Sequence, residues 1–147
     1  MCIDWLRKII CINKIPKPIG LVDIDASEIL TILKAEFPNA AIHFADNDYK
    51  TTTKTEMKRF LKDDLVDKNI YISEFYDCDD FSFALMGEVS CQEWGKLPFG
   101  ILWTEVPGGA HAVNVFIDSS RKVWIIEPQN DKIFQCPDNW TPYFIVI

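Results

Sequence analysis

The texture of this chain changes once, near Trp94, and that change limits its fold more than any single residue does. Before it, apolar residues recur at helical spacing. After it come short runs rich in β-branched and aromatic residues, divided by Gly, Pro, Asn and Asp clusters. In the first half Leu30, Leu33 and Phe37 share one face of a predicted helix from about Ser27 to Phe37, which Pro38 ends. Thr53-Lys54-Thr55-Glu56 has the form of a capping box, and Met57, Phe60, Leu61 and Leu65 make the apolar stripe of a second helix, Lys54 to Leu65. Asp77 can cap a third that starts near Cys78 and carries Phe81, Leu85 and Val89. The second half predicts strands over Phe99 to Thr104, Ala112 to Asp118, Val123 to Glu127 and Tyr143 to Ile147. Helices first and an antiparallel sheet second describe an α+β fold.

Three shorter segments complete the pattern. Met1 to Ile12 reads as an amphipathic helix, Ala41 to Phe44 as a short extended piece, and Asp46 to Tyr49 as a polar loop. With no repeat and no linker, 147 residues make a single domain over 1–147.

A net charge of −7 excludes nucleic acid and anionic membrane as partners, since both need a concentrated basic face. No apolar run is long enough to span a bilayer, and the first residues lack the form of a signal peptide, so the expected location is cytoplasmic. The five cysteines are odd in number and form no CxxC pair, which suits a reduced, intracellular chain and gives a zinc site no support. Four of them, Cys2, Cys11, Cys91 and Cys136, have no polar company and read as structural, and His43 reads as a packing residue.

Cys78 differs. A helix N-terminus favours a thiolate, but Asp77, Asp79 and Asp80 set negative charge beside the sulfur and oppose its ionisation. A cation must offset them, either a charged His111 or a bound metal. His111 follows Gly108 and Gly109 and opens a predicted strand. A hairpin turning near Ser120 places it opposite residues 127 to 129, so that Glu127 or Gln129 can hold the imidazole. Cysteine, histidine and carboxylate in this order are the parts of a thiol hydrolase that cleaves amide bonds by acyl transfer. Asp46, Asp48, Asp79, Asp80 and Asn130 are hard oxygen ligands of the kind calcium and manganese prefer, with Asp79 and Asp80 nearest the thiol.

The segment from Tyr71 to Asn130 resembles the papain-like C-terminal domain of the Marasmius oreades agglutinin family and its bacterial and phage relatives. Asp77-Cys78-Asp79-Asp80-Phe81, Gly109-Ala110-His111-Ala112-Val113-Asn114 and Glu127-Pro128-Gln129-Asn130 carry the likeness. The resemblance implies a papain-like cysteine hydrolase fold acting on peptide or protein substrates. Cys78 is then the nucleophile, His111 the base, Glu127 its orienting partner and Gln129 a further polar group. It also implies Ca2+ or Mn2+, with Asp80 and Asn130 as ligands beside Asp79. The family's β-trefoil part has no counterpart here, so carbohydrate binding is not implied. A peptidoglycan amidase of NlpC or CHAP type, and an idle scaffold that binds metal or protein, are the alternatives.

Overall fold

The computed structural model describes residues 15–91 and 93–147, so the helix expected over Met1 to Ile12 lies outside the described residues. A six-stranded sheet is the centre of the molecule, in the order β2 (Ala41–His43), β8 (Thr141–Val146), β4 (Phe99–Val106), β5 (Gly109–Ile117), β6 (Val123–Glu127), β7 (Lys132–Phe134). Among the described residues only β2 and β8 pair in parallel. A separate antiparallel ribbon joins β1 (Val22–Asp25) to β3 (Asp48–Thr51).

Helices cover both faces of the sheet. Helix α1 (Ala26–Glu36) starts where the Asp25 carboxylate accepts from Glu28 N at 2.8 Å, and it buries Ile29 and Leu33. These meet Val113, Val115, Ile117 and Ile125. On the other face lie α2 (Lys54–Asp63), capped by Thr53, and α3 (Cys78–Cys91). Their Met57, Phe60, Phe81 and Leu85 pack with Phe99, Phe116 and Ile126. Successive residues of β5 therefore serve opposite cores, as the period of a strand requires.

The expectation of N-terminal helices packed on a C-terminal antiparallel sheet is corrected by this arrangement. Strand β2 comes from the first half and enters the sheet in parallel, and the polar segment at Asp48 is half of the β1–β3 ribbon. The reason lies in alternation too short to read: Tyr49 and Thr51 are buried while Asp48 and Lys50 are exposed. Tertiary partners fix them, since the Thr51 hydroxyl bonds the Ile117 carbonyl and the Tyr49 hydroxyl the Ile147 carbonyl. Sheet content outweighs helix in the second half, and α1 sits across the sheet from α2 and α3 rather than beside them.

One glycine sets the spacing within the sheet. A Cβ on Gly100 would stand 1.9 Å from the Val146 carbonyl oxygen, so only glycine lets β4 and β8 cross this closely. Among the described residues no helix is long and apolar enough to cross a membrane.

Candidate functional site

Helix α3 begins at Cys78 because Asp77 and Asp80 cap it reciprocally. The Asp77 carboxylate accepts from the Asp79 amide, while Asp80 Oδ2 accepts from Asp77 N at 3.1 Å. Asn114, wholly buried on β5, ties the helix to the sheet: its amide nitrogen donates to Ser82 O at 3.0 Å and to Gly100 O at 3.1 Å.

His111 and Glu127 are in direct contact, with Nε2 to Oε2 at 2.8 Å. Their side chains are 20% and 14% exposed, so the pair is sheltered but reachable. The β5–β6 ladder pairs Asn114 with Ile126, and continuing that register brings His111 opposite Gln129, with Glu127 as its diagonal neighbour. Gln129 enters through its backbone, whose N–H donates to Glu127 Oε1 at 3.3 Å. Trp140 closes the corner, its ring edge-on to the imidazole with centroids 5.9 Å apart. Trp140 carries no periodic signal because the stretch around it is irregular, and sequence reasoning missed it.

Cys78 reaches this corner through Ala112, whose backbone N–H donates to the sulfur one residue along from His111. Alternation puts His111 on the face of Val113 and Val115, whereas α3 covers the face of Asn114 and Phe116. Thiol and imidazole thus approach β5 from its two faces, near where its pairing with β6 stops.

Charge around the sulfur runs against ionisation. Burial pushes the Cys78 thiol up, Asp77 and Asp79 push the same way, and the Ala112 amide opposes them. The helix start therefore does not make this thiol acidic, contrary to what the dipole alone suggests. The interaction between Asp77 and Asp79 holds Asp77 below the usual carboxylate range and lifts Asp79 above it. Of the expected ligands, Asp79 brings an oxygen within 4.8 Å of ligand atoms on Asp77 and Cys78. Asp80 is engaged in the cap, and Asn130 is exposed with its Oδ1 accepting from Lys132 N at 3.2 Å.

Elsewhere Cys136 is half-buried beside the α1 core and the His43 ring lies tilted against Phe144 with centroids 5.3 Å apart. Cys2 and Cys11 lie outside the described residues.

A sheet centred on β4 and β5, with a capped helix on one face and residues 49–133 running through both, defines the class: the agglutinin C-terminal model matches those residues, more than half of the chain, and the chain belongs to that family. Two solved structures share its fold. A PSL1a–E64 complex superposes with a TM-score of 0.75 at 23% identity, over 85% of this chain and 51% of that one. Polyporus squamosus lectin bound to the human-type influenza-binding epitope Neu5Aca2-6Galb1-4GlcNAc gives 0.73 at 22%, over 85% and 49%. The chain thus spans about half the length of the structures it resembles. No curated protein matches it.

These findings correct the reading as a papain-like cysteine hydrolase of amide bonds. The family is an agglutinin one and the shared fold is that of a lectin, so hydrolase activity, peptide or protein substrates, and bacterial or phage kinship are not carried forward. The same correction covers the peptidoglycan amidase and the idle papain-like scaffold. The physical reason is that Cys, His and Glu in that order follow from a helix docked on a hairpin, and such a layout does not specify a chemistry.

Proposed function

We propose that this chain acts in carbohydrate recognition as the C-terminal module of an agglutinin, with the corner of His111, Glu127 and Trp140 as its binding surface. The supporting observation is the sheltered 2.8 Å imidazole–carboxylate pair backed edge-on by an indole. A sugar presents hydroxyls that donate and accept, and a less polar ring face. Glu127 offers acceptors, the imidazole offers either role, and Trp140 offers apolar area. The glycan named with Polyporus squamosus lectin supplies the probe. Titrating Neu5Acα2-6Galβ1-4GlcNAc into labelled protein should shift the amides around His111, Glu127 and Trp140 at about millimolar concentration, a binding energy of roughly −4 kcal/mol. Trp140→Ala should abolish the shifts. If sugar binding belongs to the half of the lectins that this chain does not span, no amide moves at about 10 mM, and the reading fails.

A second reading is favoured by the contact between the Cys78 sulfur and the Ala112 amide. Cys78, His111, Glu127 and Gln129 form a thiol centre that takes electrophiles covalently, such as the epoxide E64 named with PSL1a. The Cys78 thiol gives its proton to His111, the sulfur bonds an epoxide carbon as the carbon–oxygen bond breaks, and the resulting alkoxide takes that proton back from the imidazolium. Calcium or manganese at Asp79, Asp80 and Asn130 would offset the negative charge beside the sulfur and so belongs to this reading. Intact-mass and peptide analysis after E64 treatment should place one adduct on Cys78, with calcium or EDTA changing its rate. An equal rate at exposed Cys91 would remove the thiol centre.

A further inference from the structure

Acidic residues outnumber basic ones by 22 to 15, yet one flank of the molecule gathers positive charge. Lys54, Lys58 and Lys62 recur every fourth residue along α2, so they form one row about 12 Å long. Lys58 and Lys62 are exposed, while Met57, Phe60 and Leu61 turn to the core. At the start of the row the Lys54 ammonium stands 3.3 Å from the centre of the half-buried Trp124 ring on β6. Lys122, just before β6, brings a second ammonium to 4.7 Å from the same ring.

These charges are not neutralised from within. None of the four lysines is in an ion pair among the described residues. Asp118 is near enough to favour a charged Lys54, but its oxygens are already taken. Its Oδ1 accepts from Ser120 N at 2.9 Å and Lys122 N at 3.1 Å, and its Oδ2 from Trp124 Nε1 at 2.7 Å. Burial first, then Lys58 and Lys122, hold the Lys54 ammonium below its ordinary value. The indole face answers part of this through its quadrupole. The rest is repulsion among ammonium groups that the fold keeps together, and an anion from outside relieves it.

We propose that Lys54, Lys58, Lys62 and Lys122, gathered about Trp124, form a binding surface for a short sulfated saccharide. Lysine ammonium groups on flexible stems meet sulfate oxygens without a fixed geometry, and the indole offers apolar area to a sugar ring. Size and charge select this occupant. A bilayer or a nucleic-acid duplex spreads its charge over a face far wider than about 12 Å, and would bring the acidic remainder of a chain of net charge −7 into its field. A saccharide of a few units covers the row alone. The surface shares no residue with the corner of His111, Glu127 and Trp140, and it stands whether or not sugar binds there.

The test titrates the whole chain with a heparin tetrasaccharide near pH 7, read by calorimetry and HSQC spectra. The Trp124 Nε1–H signal and the amides of Lys54, Lys58 and Lys62 should shift, while the fully desulfated tetrasaccharide leaves them in place. Raising salt from about 50 to about 200 mM should weaken binding by on the order of tenfold or more, because each anionic group that is paired releases a counterion. Replacing Lys58→Gln and Lys62→Gln together should weaken it by about tenfold, and Lys58→Arg with Lys62→Arg should keep it. All four changes are at exposed positions and bring in good helix formers, so the fold is kept, which circular dichroism checks. Lys34→Gln, on α1 across the sheet, should bind as the parent does. The surface is overturned if the tetrasaccharide shifts nothing or shifts only the His111 corner, if the desulfated form binds equally, or if the glutamine pair keeps the parent's affinity. Equal binding of single-stranded DNA or of phosphatidylserine vesicles would also overturn it, since the row would then take any polyanion.

Discussion

Replacing Asn114 by aspartate should make stability strongly dependent on pH, and the size of the effect follows from two distances. The Asn114 amide nitrogen donates to Ser82 O at 3.0 Å and Gly100 O at 3.1 Å, and the side chain is wholly buried. Aspartate keeps the shape but turns both donors into acceptors aimed at carbonyl oxygens. An ionised carboxyl there has no partner, so it must hold a proton, which restores one donor and loses the other at about 1 kcal/mol. If its pKa rises from about 3.9 to about 7, holding that proton at pH 7 costs about 4 kcal/mol, at roughly 1.36 kcal/mol per unit. The total is about 5 kcal/mol, against roughly 5–15 kcal/mol for a whole domain. The sign follows from linkage: a carboxyl raised in the folded state does no harm below its unfolded pKa, and the loss grows as pH climbs toward its folded pKa. Asn114→Ala lacks the titrating group and should lose about 2–4 kcal/mol at any pH. Urea denaturation of parent and both variants at about pH 7 and about pH 4.5, with differences taken at each pH, measures this. A gap between Asn114→Asp and parent that fails to shrink in acid, or that is smaller than the Asn114→Ala gap at pH 7, would refute the reasoning.

Three further outcomes are expected. Gly100→Ala forces β4 away from the Val146 carbonyl and should cost about 3 kcal/mol or more, with faster amide exchange along β8; an unchanged melting temperature would contradict the close crossing. Thr53→Ala removes the acceptor that Glu56 N uses at 3.2 Å and should cost about 1 kcal/mol in urea denaturation, against no measurable change if the cap contributes nothing. Burial pushes the Cys136 thiol up to about 11, so its alkylation, followed on its own peptide, should keep accelerating well above the usual thiol range of about 8.5; a plateau near that value would show the thiol to be solvated.

The helices and the four long strands were legible because their signals are local. Asp77, Thr53 and Pro38 mark ends, and Leu30, Leu33, Phe60 and Leu85 repeat with the helix period. Strands β1, β3 and β7 were not legible. They have three or four residues each, too few to display a period, and they exist because the sheet and the Thr51 and Tyr49 hydroxyls give them partners. Turn lengths fixed which strands are neighbours in the β4–β5–β6 meander but said nothing of β2, whose parallel partner β8 closes the sheet from the far end of the chain.

The same division runs through the site. The contact of His111 with Glu127 was readable from the Ser119–Lys122 turn, since register and alternation fix which residues share a face across a hairpin. The approach of Cys78 was not, because it depends on how α3 docks, and that is set by Asn114 and Phe116 on the opposite face of β5 from His111. The convergence of Asp64, Asp67 and Asp131, whose carboxylate oxygens come within 4.8 Å of one another, escaped for a related reason: in sequence the first two resemble a solvated helix end and the third a polar turn, and burial alone makes their oxygens unmatched. Burial is a property of the packed molecule, so a cluster of this kind is invisible until the elements are assembled. A triad order has the opposite weakness. It is easy to see along the chain, yet it follows from a helix preceding a hairpin, and such a layout does not by itself specify a chemistry.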